Sequence, residues 1–523
     1  MSPEIYLDTN ATTPVLPQAL AAACRTMQEG YGNPSSSHSS GLVAQDLRES
    51  VRRKAASLLG AGAGRLLFVS GATEGIQTAV LSGLCALRAR RAAGDTRARL
   101  LVYGATEHKA VPESLAYWNE LLGLDLEIRA LPVDTHGMHD LAALAQWAGE
   151  IGMLCTMAAN NETGVVSDIA GIEQVLTNTG SAALWLVDCV QALGKLPLNL
   201  QATRIDYAPF SGHKLYAPKG IGILYVRAGS PYSPLMVGGG QEGGARSGTE
   251  NMPGIAALGA VLDALARGDT FCSTAILTGY RDQLVQAIRD AFPQVVFNAP
   301  LAQALPTTLN FSAPGLSSRM LLDLFDAAGV RISSGSACSA AKAEPSFVLQ
   351  AMGLPEWQTT SAIRLSFGAL ADQSFIDSAC AAIRKCGAVL RASAQAAQTC
   401  TAAPVDVTAT ATGTGQDPTP ALAWSELEQL LQDEPQTLLV DVREAYEYAA
   451  TAPLRSAGRT AQNLPLSELE RAVPGWLAQH RHPVVFFCRS GNRSLQALRA
   501  LQRQGHLHGR HLAGGLALGP SPH

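Results

Sequence analysis

The stretch LLFVSGATEG, residues 66–75, runs from an apolar segment through a glycine turn into the start of a helix. Similar short apolar runs recur along the first part of the chain, with helical stretches such as 41–59 and 74–90 among them: LLVYG (100–104), MLCTMA (153–158) and ALWLVD (183–188). Strands that alternate with helices are typical of a mostly parallel sheet covered on both faces. Residues 1–395 therefore predict an α/β fold.

A change of composition follows this region. The segment TCTAAPVDVTATATGTGQDPTP (399–420) is rich in Thr, Ala, Gly and Pro, and it has little apolar surface to bury. We therefore predict a flexible linker over 396–420. Beyond it, 421–523 begins again with a helix (SELEQLLQD), a strand (TLLVDVRE) and a strand (PVVFFC) that enters a helix. This pattern predicts a second, small α/β domain.

The bulk composition excludes several classes of protein. The 523 residues carry a formal charge of −4, with 47% hydrophobic and 16% charged residues, which is typical of a globular protein and not of one that coats nucleic acid or membrane. No apolar run approaches about 18 residues, and MSPEIYLDTNATTP lacks the regions of a signal peptide. The ten cysteines form no CxxC pair, so we expect neither disulfides nor a metal site, and a cytoplasmic location.

A candidate site centres on SGHKLYAPKG, residues 211–220. A lysine such as Lys214 can form a Schiff base where its ammonium loses a proton easily, although most lysines are solvated surface groups. Backbone N–H groups at Ala72 and Thr73 begin a helix and can hold a phosphate, as can Ser211 and His213. Taken alone, Thr73 is as consistent with an ordinary helix cap.

Three further side chains suit a charged ring. Asp188 ends an apolar strand, where a carboxylate needs a partner such as a pyridinium nitrogen, and Gln191 could bond a ring substituent. His108, in TEHKAV, could stack on a flat ring or move a proton. Each also has an ordinary structural interpretation, Asp188 as a helix cap and His108 as a surface or core histidine.

Together these motifs resemble the cysteine desulfurases of the class V, fold-type I pyridoxal-phosphate group. The resemblance runs in order through residues 5–395, in IYLDTNATTP (5–14), YGNPSSSH (31–38), SGATEG (70–75), TEHKAV (106–111), NNETGVV (160–166), VDCVQALGK (187–195), SGHKLYAPKGIGILYV (211–226), GGGQEGGARSGTEN (238–251), SSGSACS (333–339) and SAIRLSFG (361–368).

The resemblance implies a large domain of about 15–255, a small domain of about 1–14 plus 256–395, a homodimer and pyridoxal 5′-phosphate. It makes Lys214 the Schiff-base lysine. It implies phosphate binding by Thr73, Ser211 and His213, with Thr249 contributed across the dimer. It implies ring contacts by Asp188, Gln191 and His108. It also implies substrate orientation by Asn161 and by Arg364, which would grip the α-carboxylate.

A second nucleophile is expected in SSGSACSAA (333–341), where Cys338 lies among small residues only. A lone cysteine is usually a buried, inert thiol. In the family, however, a mobile thiolate attacks the sulfur of L-cysteine, which yields L-alanine and a persulfide, here on Cys338. Two departures, Ala369 for a common Arg and Thr9 for a common Asn or Ala, are expected to have small effects.

In the second domain, VVFFCRSGNRS (484–494) places Cys488 where backbone N–H groups converge, which favours the thiolate, and Arg493 closes the loop. With LLVDVRE (438–444), NLPLSEL (463–469) and LAGGLALG (512–519), this resembles a single-domain rhodanese. The motif expected before the second strand is degraded to RSAGRTAQ (455–462).

The fusion suggests that Cys338 passes sulfur to Cys488 and then to an acceptor protein or small thiol, with neither membrane nor direct nucleic-acid binding. Iron–sulfur cluster assembly, tRNA thiolation, cofactor sulfuration and sulfide production all remain open as destinations. Two alternatives compete with this hypothesis. One is selenocysteine cleavage or a transaminase-like reaction on the same cofactor. The other is a rhodanese-like domain that only docks an acceptor.

Overall fold

The computed structural model describes residues 4–335, 345–399, 421–469, 482–505 and 508–519. Cys338 and residues 400–420 of the predicted linker lie outside these ranges. None of the described helices is long and apolar enough to cross a membrane.

The largest sheet has seven strands in the order β2-β8-β7-β6-β5-β3-β4. Their bounds are β2 (Arg65–Val69), β3 (Leu100–Gly104), β4 (Glu127–Leu131), β5 (Ile151–Met157), β6 (Leu184–Asp188), β7 (Tyr207–Ser211) and β8 (Gly222–Val226). β8 runs antiparallel to its neighbours β2 and β7, and the other pairs are parallel. The expected mostly parallel sheet is confirmed, and the carboxyl ends of β2, β6 and β7 share one edge.

Helices cover both faces of this sheet: α1 (Pro17–Gln28), α2 (Ser39–Leu59), α3 (Ala72–Ala92), α4 (Ala110–Leu121), α5 (Leu141–Trp147), α6 (Ile169–Asn178) and α7 (Met252–Arg267). Successive residues of β3 enter different cores, Leu101 on one face and Val102 on the other, as the period-2 geometry of a strand requires. α7 packs on α1 and α2 in the second of these cores. A domain boundary near residue 255 would therefore fall inside α7.

The second part of the class V-like region is built on β10 (Thr308–Ser312), which lies antiparallel between β9 (Val296–Phe297) and β12 (Ile363–Ser366). Nearby, β1 (Ile5–Tyr6) pairs with β11 (Val330–Arg331). The helices here are α8 (Thr274–Ala291), α9 (Ser318–Ala327), α10 (Phe347–Ala351), α11 (Glu356–Ser361) and α12 (Gln373–Thr399). α12 extends into the first residues assigned to the linker.

The C-terminal region contains a parallel sheet in the order β13-β19-β18-β14-β17. Its strands are β13 (Ala421–Leu422), β14 (Leu438–Asp441), β17 (Gln462–Asn463), β18 (Val484–Phe487) and β19 (Gly509–Leu512). Its helices include α13 (Trp424–Asp433), α14 (Ala445–Ala450) and α15 (Asn492–Arg503). The segment RSAGRTAQ forms a short hairpin, β15 (Arg455–Ser456) and β16 (Arg459–Thr460), before β17.

Candidate active site

Lys214 lies just beyond the carboxyl end of β7, in a single 3-10 turn formed by Gly212–Lys214. This turn is fixed from two sides, because Leu215 N donates to the Gly212 carbonyl (2.8 Å) and Thr13 N donates to the His213 carbonyl (2.9 Å). The neighbouring parallel strand β6 ends at Asp188. The sheet therefore brings an amine and a carboxyl group to the same edge.

Asp188 is buried, and burial raises the pKa of its carboxyl group. The Val190 N–H, which donates to Oδ1 at 2.8 Å, opposes this shift, as do the charges of His108 and Lys214. The pKa of His108 is lowered by burial, while the charge of Asp188 raises it and that of Lys214 lowers it. Its Nδ1 accepts a hydrogen bond from Ala110 N at 3.2 Å, which orients the ring. The three predicted side chains form one electrostatic cluster.

The backbone surface at the start of α3 lies close to β8 and to Ser211, at the end of β7. A Cβ on Gly222 would lie 2.9 Å from the Gly71 Cα, and a Cβ on Gly71 would lie 3.9 Å from the Ser211 Oγ. These glycines allow β8 and the β2–α3 turn to approach closely. Ala72 and Thr73 are the first residues of α3, where N–H groups lack helical acceptors, so this surface suits an anion.

His213 lies in the same 3-10 turn as Lys214. Its Nδ1 lies 3.1 Å from the Thr12 hydroxyl oxygen, and burial, with Lys214 and Lys219, lowers its pKa to about 4. A neutral imidazole can donate one hydrogen bond to an anion without the cost of a buried charge.

Sequence reasoning missed Lys195, which lies four residues after Gln191 in VDCVQALGK, in the turns that follow β6. Its Nζ donates to Gln191 Oε1 (2.5 Å) and to Asn10 Oδ1 (3.3 Å), while Gln191 Nε2 donates to the Asn10 carbonyl (3.2 Å). Burial and then Lys214 lower the pKa of Lys195 to about 7. The i, i+4 spacing from Gln191 was the signal that could have identified it.

Arg364, on β12, is 1% exposed. It donates from Nη2 to Asp8 (2.6 Å) and from Nη1 to the Asn161 carbonyl (3.1 Å). Its Nε is buried and has no hydrogen-bond partner within the described part of the chain. A buried guanidinium donor without an acceptor suits a ligand carboxylate. The position of Asp8 in YLDTN gave no sign of this ion pair.

One predicted residue is not brought into this cluster, because Thr249 is exposed in the loop before α7. Cys338 lies outside the described residues. Glu162 accepts a hydrogen bond from the Ser346 hydroxyl at 2.7 Å, and a Cβ on Gly335 would lie 2.8 Å from its Oε2. Glu162, which sequence reasoning passed over inside NNETGVV, thus contacts residues on both sides of 336–344.

These residues could hold a phosphorylated, cationic heteroaromatic ring. The anion surface at Ala72, the buried carboxyl group of Asp188 and the imidazole of His108 supply complementary phosphate, cation and stacking contacts. Lys214 supplies a nucleophilic amine, and the unpartnered Nε of Arg364 supplies a carboxylate contact.

A second candidate site follows β18. Cys488 is 1% exposed, and its Sγ accepts a hydrogen bond from Gly491 N at 3.2 Å, at the start of α15. Arg493 Nη2 donates to Glu447 Oε1 at 2.8 Å, on α14, so the loop-closing arginine is oriented by a buried carboxylate. The predicted strand–loop–helix is confirmed for the residues around this thiol.

The LAGG motif supports the same loop. Leu516 N donates to the Cys488 carbonyl and Ala517 N to the Arg489 carbonyl, both at 2.8 Å. A Cβ on Gly515 would lie 2.3 Å from the Cys488 carbonyl oxygen, and φ at Gly515 is 57°. Glycine is therefore required here both for the close approach and for the backbone conformation.

Comparison with known proteins finds a family match for each of the two regions. The aminotransferase class-V family matches residues 5–378, and the rhodanese-like domain matches residues 423–518. A cysteine desulfurase of Nostoc sp. is 38% identical over 378 residues, which cover 71% of this chain and 90% of that protein. The cysteine desulfurase IscS of Dictyoglomus turgidum is 34% identical over 369 residues, 70% of this chain and 90% of that protein.

Among solved structures, a NifS-like protein is 31% identical with a TM-score of 0.65, covering 73% of this chain and 98% of that chain. SspA in complex with cysteine is 27% identical with a TM-score of 0.60, covering 70% and 99%. The chain thus belongs to the class-V aminotransferase family, and a rhodanese-like domain follows the class-V region.

Proposed function

We propose that the protein is a cysteine desulfurase, which converts L-cysteine to L-alanine and leaves a persulfide on Cys338. The observation that carries this proposal is the cluster of Lys214, Asp188 and His108 beside the anion surface at the start of α3. The names of the similar proteins support the same reaction.

Pyridoxal 5′-phosphate fits the residues present. Ala72, Thr73, Ser211 and His213 would hold its phosphate, and Asp188, Gln191 and His108 would hold its ring. When bound, this cofactor supplies an electron sink for the carbon chemistry of an amino acid. In the proposed homodimer, Thr249 would add a phosphate contact from the partner, which its exposure allows.

Residues of this chain would carry out the remaining steps. Arg364 and Asn161 would hold the substrate by its polar groups, and Lys214 would take the proton from the α-carbon. The Cys338 thiolate attacks the substrate sulfur. A sulfur–sulfur bond forms as the bond between sulfur and the β-carbon breaks, and the β-carbon keeps the electron pair and takes a proton from solvent. Lys214 then returns a proton to the α-carbon, which yields alanine.

We infer further that Cys488 receives this sulfur and passes it to an acceptor protein or small thiol, in a cytoplasmic pathway such as iron–sulfur cluster assembly. The N–H group of Gly491 at the Cys488 Sγ and the guanidinium of Arg493 nearby support a sulfur-carrying role, since both can stabilise the negative charge of a bound persulfide. Tethering the two thiols raises their effective concentration to roughly millimolar.

The test is persulfide mapping by mass spectrometry after L-cysteine is added to the cofactor-loaded protein. We expect sulfur on both Cys338 and Cys488, and we expect Cys338→Ser to abolish alanine formation and the load on Cys488. Cys24→Ser is the matched control, because Cys24 is an exposed thiol outside both loops.

Other results would separate the alternatives. Sulfur on Cys338 alone would leave the desulfurase and make the second domain a docking module. Alanine released from selenocysteine but not from cysteine would favour a lyase. No alanine from either substrate would refute the proposed reaction.

A further inference from the structure

The loop that carries Cys488 faces helix α9 of the class-V region. Arg489, the residue next to Cys488, forms two ion pairs with α9: Nη1 lies 2.9 Å from Asp323 Oδ1, and Nε lies 2.9 Å from Asp326 Oδ2. Arg493 Nη2 is 3.9 Å from Asp323 Oδ2. Both arginines of the thiol loop thus meet carboxylates of α9.

Asp323 of α9 has arginine partners in both domains. Asp323 is 4% exposed, and it also pairs with Arg319, one turn earlier on α9 at 2.9 Å. A buried carboxylate is costly unless its lone pairs are satisfied, and Arg489 supplies a further guanidinium partner for Asp323 from the second domain.

Asp326 links the two halves of the chain more directly. Its Oδ1 also accepts a hydrogen bond from Arg331 Nη1 at 2.7 Å, on β11. β11 leads to Ser333, which pairs with Arg364 of the candidate site. One carboxylate therefore holds both the strand that leads to the first thiol loop and the residue adjacent to the second thiol.

An apolar contact supports these ion pairs. Ala450, on α14, is buried in the core cluster of the small domain, and Tyr446 packs against the same cluster. Lys385 Nζ, on α12, donates to the Ala450 carbonyl at 2.7 Å at the end of α14. The second domain is thus seated on α9 and α12 by packed side chains, with the ion pairs beside them.

From these contacts we propose that the acidic face of α9, formed by Asp323 and Asp326, is a docking surface that delivers sulfur to Cys488 of the same chain. This proposal rests on the proposed desulfurase function and adds a route to it. In the transfer step, the Cys488 thiolate attacks the outer sulfur of the Cys338 persulfide. The new sulfur–sulfur bond forms as the old one breaks, and Cys338 leaves as a thiolate, so no oxidant or reductant is needed.

The test compares Arg489→Glu and Asp326→Lys with the matched control Arg510→Glu. Arg510 pairs with Glu434 inside the second domain, 3.2 Å away. We expect the first two variants to slow the loading of Cys488 after L-cysteine by at least tenfold, with alanine formation unchanged, because the docked geometry is lost while the tether remains. Arg510→Glu should load Cys488 at the normal rate.

A second readout does not depend on sulfur chemistry. Hydrogen exchange should rise in α9 and α14 of Arg489→Glu and Asp326→Lys, and not in Arg510→Glu. Unchanged hydrogen exchange in both variants would refute the docking surface, and this result can be obtained even if the protein has no desulfurase activity. Loading of Cys488 by a small persulfide donor checks the thiol itself, and a loss there in Asp326→Lys would also count against the proposal.

The same-chain route is tested with mixed assemblies of two differently tagged chains, one Cys338→Ser and the other Cys488→Ser. In such an assembly, sulfur can reach Cys488 only from another chain. We expect loading at least tenfold slower than in the wild type. Loading at the wild-type rate would show transfer between chains and would refute the same-chain route.

Discussion

At the scale of single residues, two buried carboxyl groups lie near each other with different tasks. Burial and then the charge of Asp188 raise the pKa of Glu107 well above its usual value, which favours its protonated form. Burial also raises the pKa of Asp188, but the Val190 N–H, His108 and Lys214 oppose that shift. We therefore expect Glu107→Gln, a neutral replacement of similar shape, to keep alanine formation within about twofold, since no charge is lost.

The matched change at the other carboxyl group should behave differently. Asp188→Asn removes the anion that would face a pyridine nitrogen, and we expect a loss of roughly 100-fold in kcat. Alanine release and the visible spectrum of the bound cofactor are the measurements. An equal loss in Glu107→Gln would mean that Glu107 works as an anion, contrary to the pKa shift.

At the scale of elements, the thiol loop and the LAGG turn are held together by backbone contact alone at Gly515. We expect Gly515→Ala to destabilise the second domain by about 2 kcal/mol or more and to slow Cys488 loading, because the new methyl group would overlap the Cys488 carbonyl. Gly458→Ala is the control: φ at Gly458 is 74°, and nothing lies within 4 Å of its added Cβ. Similar unfolding curves for the two variants would show that the close approach is unimportant.

At the scale of the whole molecule, acid should weaken the fold through its buried histidines. Burial lowers the pKa of His139 to about 4. The unfolded chain binds a proton on this histidine near pH 6.5, whereas the folded chain does not bind it until the pH approaches 4. The contribution of His139 to the free energy of unfolding is therefore complete above pH 6.5 and falls as the pH drops toward 4. The loss is roughly 3 kcal/mol for one such histidine.

Calorimetry of the class-V region from pH 7 to 4.5 tests this expectation. His139→Leu should flatten the pH dependence by about one proton, whereas His136→Leu should not, because His136 is exposed in the same turn. Parallel curves for wild type and His139→Leu would contradict the assignment.

Local patterns were enough to predict the elements around the first site. An apolar run that ends in a polar residue marks a strand end, which is why Asp188 could be identified from the sequence, whereas Lys214 was assigned through the resemblance of SGHKLYAPKG. The partners of buried charges were not predictable in this way. Arg489 and Asp323 are 166 residues apart, and nothing near either one indicates the other.

Composition and local sequence also failed to predict two local structures, the end of α12 and the hairpin at RSAGRTAQ. The helix α12 continues to Thr399, although the linker was predicted to begin at residue 396. The hairpin at RSAGRTAQ depends on positive φ values at Ala457 and Gly458, and an alanine gives no sequence signal for such a conformation.

The packing of α14 against the class-V region affects how the second domain would behave if it were produced on its own. Ala450 and Tyr446 are covered by side chains of the neighbouring domain, and the last carbonyl of α14 is satisfied by Lys385. A rhodanese-like domain produced on its own would expose this apolar spot to water and leave its first helix after β14 uncapped. If that isolated domain self-associates, the cause would be the missing contact with the class-V region and not an unstable fold of the domain itself.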